Sequence, residues 1–152
     1  MTLRQRGFTL LEMLVTATVL VILASAVVPM ARNGVRRQRE LELRRDLREM
    51  RMAIDSYKAM AEQNKIKGPP PENNYYPESL DILVEGAPVT GKDAKVRFLR
   101  RIPVDPFTQK AEWGMRSLSD DASSSSWGGG SVFDVYSLAP GTGSNKVPYR
   151  EW

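Results

Sequence analysis

From Phe8 to Ala31 the chain reads FTLLEMLVTATVLVILASAVVPMA, an apolar run interrupted by one charge, Glu12. At about 1.5 Å per residue such a run makes a helix of about 36 Å, enough to cross the hydrocarbon core of a bilayer with some tilt. The lone acid is expensive there. A carboxylate within bilayer costs about 2.5 to 3.5 kcal/mol on insertion scales, and such groups pair or line a polar path. A newly exposed amino terminus in the same low-dielectric layer has the right sign, and breaking such a pair strands one charge at a cost of several kcal/mol.

An ordinary secretory signal is the competing reading. Arg4 and Arg6 form a positive leader, and Ala24-Ser25-Ala26 is a small-residue cleavage pattern. The apolar run, however, exceeds the length of a usual signal core, and such a signal has no use for Glu12. Orientation is not fixed by charge, because Arg32, Arg36, Arg37 and Arg39 follow the run and by loop counting place that side in the cytoplasm. Pro29 removes a helical hydrogen bond and clashes with the preceding turn, so it predicts a kink or melting there. A membrane helix can also tolerate such a proline when neighbours satisfy the freed groups.

The run Gly7-Phe8-Thr9-Leu10-Leu11-Glu12 resembles the processing site of type IV prepilins and of type II secretion pseudopilins. The resemblance implies cleavage between Gly7 and Phe8 by a prepilin peptidase that is also an N-methyltransferase, and methylation of Phe8. It also implies pairing of Glu12 with the Phe8 ammonium of a neighbouring subunit, with the leader in the cytoplasm and the globular part outside.

Composition limits what the remainder can do. About 120 residues follow the run, enough for one small domain. The sequence has no Cys and no His, which removes disulfides, thiolate sites and the usual imidazole bases and zinc ligands. An enzyme is not expected. The formal charge is +4, and Arg4 and Arg6 of the leader supply half of it. Arg36, Arg37, Arg39, Arg44, Arg45, Arg48 and Arg51 crowd one stretch, as in a basic DNA-binding helix, but Glu40, Glu42, Asp46 and Glu49 are interleaved with them. With Glu40 four residues before Arg44, this reads as a solvated or filament-facing ion-pair surface, and nucleic acid is not an expected partner.

Within that stretch Leu43, Leu47, Met50, Ile54, Tyr57 and Ala61 recur at steps of three and four, predicting one apolar helix face that continues to about residue 63 or 64. Lys67-Gly68-Pro69-Pro70-Pro71 then marks a boundary and a stiff connector. Pro77 to Val84, closed by Gly86, predicts a short helix, and Ala94 to Arg101 a second. Lys110–Leu118 and Ser131–Leu138 read as strands, joined by a long flexible connection from Asp120 to Gly130. The α-then-β order predicts an α+β fold in which a long N-terminal helix, membrane-spanning in its first half, packs on a small C-terminal antiparallel β-sheet. The expected segments are a leader (1–7), a transmembrane or filament-core helix (8–31), its amphipathic continuation (32–64), a loop with short helices (65–110), and a small sheet with a C-terminal loop (111–152).

Tyr76-Pro77-Glu78-Ser79-Leu80, Ile102-Pro103-Val104-Asp105-Pro106, Phe133-Asp134-Val135-Tyr136-Ser137-Leu138 and the closing Trp152 extend the resemblance toward the type II secretion major pseudopilins. That narrower resemblance implies a pilin-like structural subunit of a periplasmic filament that drives protein export. Its implied partners are further copies of itself, minor pseudopilins and an inner-membrane assembly platform with its cytoplasmic ATPase. It is expected as a single-pass inner-membrane protein with a periplasmic globular domain. A type IV pilin acting in adhesion, twitching or DNA uptake shares this N-terminus, and a monomeric membrane-anchored binding module is the alternative from another class. The resemblance also implies calcium in the loop after the last strand. Leu138 would supply a carbonyl oxygen, but Gly141 stands where such a chain has an aspartate, and Ala139–Lys146 contains no carboxylate. Calcium therefore stays an open possibility whose usual loop aspartate is not matched, no other cofactor is expected, and Asp134, Asp120 and Asp121 read as surface acids.

Overall fold

The computed structural model describes residues 7–69 and 71–152, with the side chains of 26–33 left aside. Helix α1 runs Leu10–Glu62. A 3-10 turn (Pro71–Asn73), helix α2 (Asp81–Glu85) and four short strands follow: β1 (Ala87–Pro88), β2 (Lys95–Val96), β3 (Gly114–Arg116) and β4 (Asp134–Tyr136). A second 3-10 turn spans Tyr149–Glu151. The chain divides into two compact units, Met1–Gln38 and Arg39–Trp152. Among the described residues no helix is long and apolar enough to cross a membrane. The run read as a span extends into 26–33, and the kink expected at Pro29 likewise falls outside the described side chains.

The second unit is built on the C-terminal part of α1. Leu43, Leu47, Met50, Ile54, Tyr57 and Ala61 are all buried and join Leu83, Leu99, Trp113, Val132, Val135 and Tyr149 in one core. Full burial contributes about 1.5 to 3 kcal/mol for each large apolar side chain, so this stripe is a main source of the unit's cohesion. The helix stops for a local reason. Asn64 adopts positive φ (52°), its N–H donates to the Ala61 carbonyl at 2.9 Å, and the Lys65 N–H reaches the Met60 carbonyl at 3.0 Å. These are the two bonds of a Schellman cap, which satisfies the last helical carbonyls and turns the chain back.

Helix α2 ends at Gly86, whose φ of 93° suits a residue without Cβ. The sheet is not one piece. β1 pairs with β2, and β3 with β4, as two separate antiparallel ladders. The helix expected over Ala94–Arg101 is replaced by β2, followed by a turn in which the Phe98 and Leu99 N–H groups both donate to the Leu83 carbonyl. Lys65 to Lys67 leave the helix and pair with the same hairpin, through the Ile66–Val89 bridge and the Lys67 N–H to Pro88 carbonyl bond at 2.8 Å. That nonlocal pairing holds the backbone of this segment extended.

Asp105 is fully buried. Its Oδ1 accepts the Phe107 N–H at 2.7 Å and the Thr108 N–H at 3.3 Å, and its Oδ2 accepts the Ser137 hydroxyl at 2.5 Å. One carboxylate thus shapes its own loop and ties it to the residue following β4. All three of these hydrogen-bond partners are donors, so the buried carboxyl oxygens are satisfied.

Candidate assembly site

At the N-terminal end Gly7 and Phe8 precede α1, and Phe8 is 72% exposed. Thr9 caps the helix. Its Oγ1 accepts the Glu12 N–H at 3.2 Å, and its carbonyl accepts the Met13 N–H at 3.1 Å. Thr9 and Glu12 stand in the Ncap and N3 positions of the Thr-x-x-Glu capping pattern, which satisfies a helix-end donor and sets a negative group at the positive end of the helix dipole. Thr9 was the missed residue here, although the spacing that reveals it is visible in the sequence. Glu12 is exposed.

The next turns are apolar on every side. Leu10, Leu11, Leu14, Leu20, Val21 and Leu23 are all exposed, Leu10 to 85%. A helix apolar all round has no face for water and is normally buried in a large core or a membrane. The hydroxyls in this stretch bond inward. Thr16 donates to the Met13 carbonyl (3.0 Å), Thr18 to Leu14 (2.7 Å) and Ser25 to Ile22 (2.7 Å). Such bonds meet a hydroxyl's needs without water or a partner helix.

In the second unit the polar residues of α1 hold the C-terminal segment. Glu40 is 4% exposed, contrary to the expectation that it belongs to a solvated or filament-facing ion-pair surface. Its Oε1 accepts the Ser144 N–H at 3.0 Å and the Tyr149 hydroxyl at 3.2 Å. It lies three residues before Leu43 and so extends the buried stripe. The Arg44 guanidinium sits 4.3 Å from the centre of the Trp152 ring. Arg51 donates to Asp134 Oδ1 at 2.6 Å, to the Val135 carbonyl at 3.1 Å and to the Trp152 carbonyl at 2.6 Å. Asp134 also faces Arg116 at 3.6 Å. It is therefore a paired, partly buried acid where a plain surface carboxylate was expected.

Asp120 is likewise a structural acid. Its Oδ2 accepts the Ser117 N–H at 2.7 Å and the Gly128 N–H at 3.0 Å, and the Gly128 bond, then the Ser117 bond, hold its carboxyl below the usual range. The connection expected to be flexible is tied further by Arg116 to the Ser124 carbonyl (3.0 Å) and by Trp127 to the Ser131 carbonyl (3.0 Å). Asp46 shows the opposite shift. Burial, then Glu42 and Glu49, push its carboxyl upward.

Calcium does not fit the loop Ala139–Lys146. A calcium ion takes six to eight oxygen ligands, several of them carboxylate, and the loop has no carboxylate of its own. Two of its carbonyls already accept protein donors: Gly141 takes the Tyr149 N–H at 3.2 Å, and Gly143 the Lys146 N–H at 2.9 Å. The Trp152 ring packs so closely on Gly143 that a Cβ there would lie 2.0 Å from it. Among the described residues no group of three or more acidic side chains is placed to hold a metal.

A family model of the prokaryotic N-terminal methylation motif matches residues 2–28. The type II secretion system core protein G of Klebsiella pneumoniae is 32% identical over 144 residues, which cover 90% of this chain and 86% of that one. The protein of the same name from Escherichia coli K12 is 30% identical over 110 residues, 68% of each chain. That of Aeromonas hydrophila is 32% identical over 110 residues, again 68% of each. No solved structure matches. With the prepilin-type start, the buried stripe of α1 and the small antiparallel ladders already described, the chain belongs to the core protein G family of type II secretion systems, the major pseudopilins among the type IV pilin-like proteins.

Proposed function

We propose that this chain is a non-enzymatic structural subunit of a periplasmic pseudopilus, polymerising through its N-terminal helix to drive protein export by a type II secretion system. The observation that carries this is the first part of α1, apolar on all faces, with its large apolar side chains from Leu10 to Leu23 exposed. So large an apolar surface needs an environment outside the subunit. A bilayer supplies one before assembly, and the same helices of neighbouring copies supply one afterwards.

In this reading residues 1–7 are a leader removed after Gly7, Phe8 is the methylated start of the mature chain, and 8–31 is the membrane and filament-core segment. Pro29 loosens the helix as the subunit passes from bilayer to filament, and 32–64 carries the globular part. Glu12 meets the Phe8 ammonium of an adjacent copy. The prepilin peptidase, the inner-membrane platform with its ATPase and the minor pseudopilins are the partners. The core protein G relatives favour the secretion branch over a true pilin.

The test is Glu12→Val in the native secretion system. It removes the carboxylate while making the segment more apolar, so membrane retention persists while filaments and exported substrate are lost. Normal filaments from that variant would remove the pairing role.

A further inference from the structure

The poor fit of calcium to the C-terminal loop leaves the question of what fixes that loop. Three residues of α1, Glu40, Arg44 and Arg51, each grip it at a different height. Glu40 takes the Ser144 N–H and the Tyr149 hydroxyl on one buried oxygen. Arg44 covers one side of the Trp152 ring, while Tyr149 meets the ring edge-on with centroids 5.1 Å apart. Arg51 holds the Trp152 carbonyl. Trp152 in turn donates its Nε1–H to the Val147 carbonyl at 3.2 Å and packs over Gly143. Tyr149 stacks on Phe107, with centroids 4.4 Å apart.

We propose that this latch of Glu40, Arg44 and Arg51 with Tyr149 and Trp152 does without metal the work that the family resemblance assigns to calcium. A buried carboxylate supplies the negative centre toward which backbone and hydroxyl donors converge. Its charge belongs to the chain and cannot be chelated away. The Ser144 N–H and the Tyr149 hydroxyl both point their donors at Glu40 Oε1, so the negative group nearest the loop is already answered by protein donors. Subunit stability in this protein is therefore indifferent to calcium.

The experiment uses full-length protein in detergent micelles, so its result is independent of polymerisation and of the proposed export role. Unfolding midpoints are followed by tryptophan fluorescence with excess calcium chloride and with a chelator. The wild-type midpoint stays the same in both, and calorimetric titration with calcium shows no stoichiometric binding. Glu40→Gln lowers the midpoint equally in both conditions, by roughly 5 °C for charged hydrogen bonds in a domain of this size. If that variant does not fold, Trp152→Phe keeps a ring over Gly143 but loses the Nε1–H donor. It lowers the midpoint by a smaller amount, again without a calcium effect. A calcium-dependent rise of several degrees in the wild type, or stoichiometric calcium binding, overturns the proposal. So does an unchanged midpoint in Glu40→Gln.

Discussion

The two ends of α1 both carry leucines and other large apolar side chains, and those side chains have opposite fates. From Leu10 to Leu23 its leucines and valines are exposed, whereas Leu43, Leu47, Met50 and Ile54 have almost no accessible surface. The difference is one of pattern. The second stretch gathers most of its apolar residues into one stripe that the same chain covers with Leu83, Leu99, Val132 and Val135, and leaves Leu41 and Met52 exposed. The first is apolar all round, and a single small domain has no layer with which to wrap it. One part of the helix completes a fold, and the other is left for an assembly.

That contrast can be broken at matched positions. Leu47→Ala, in the covered half, should cost about 2.7 to 5 kcal/mol of subunit stability. Leu14→Ala, in the uncovered half, should stay within about 0.5 kcal/mol in micelles, as surface changes do. Chemical denaturation of both proteins in the same detergent compares them, and equal losses would contradict the division. Next in size is Arg51→Ala, which removes the donor shared by Asp134, Val135 and Trp152. A loss of about 1.5 to 3 kcal/mol is expected for these charged hydrogen bonds, read from the same denaturation curves.

Smaller effects sharpen the picture of the covered half. Asp120 has a lowered carboxyl pKa, so its contribution is present above the ordinary aspartate range and is lost as pH falls through the lowered value. Asp120→Asn should therefore leave the 120–130 connection more open to limited proteolysis at neutral pH, with the difference from wild type vanishing in strong acid. For Asp46, whose carboxyl is raised by burial and by Glu42 and Glu49, the sign reverses. Its charged form is a cost that grows as pH rises through the raised value. Asp46→Asn should leave neutral-pH stability unchanged or slightly improved, by no more than about 0.5 kcal/mol, measured by thermal unfolding.

The stripe and the α+β order were legible because helical periodicity is local and Leu43 to Ala61 keep it without a break. Gly86 was legible as a stop for the same reason. The pairing of β1 with β2 was not, since a two-residue strand carries no alternation, and its place is set by Ile66 and Leu83, distant in sequence. Asp134 looked like a surface acid because its partner Arg51 lies 83 residues away. Glu40 was misread for a different reason. Its spacing to Arg44 suggests an exposed ion pair, while its spacing to Leu43 and Leu47 continues the core face, and burial of the stripe decides between them.

The central claim is that the uncovered half of α1 is processed for assembly with copies of itself. N-terminal mass spectrometry of the protein from its producing cell tests this most directly. The account predicts a chain that starts at methylated Phe8. An intact Met1 or Thr2, or a start at Val27 after a conventional signal cleavage, would contradict it.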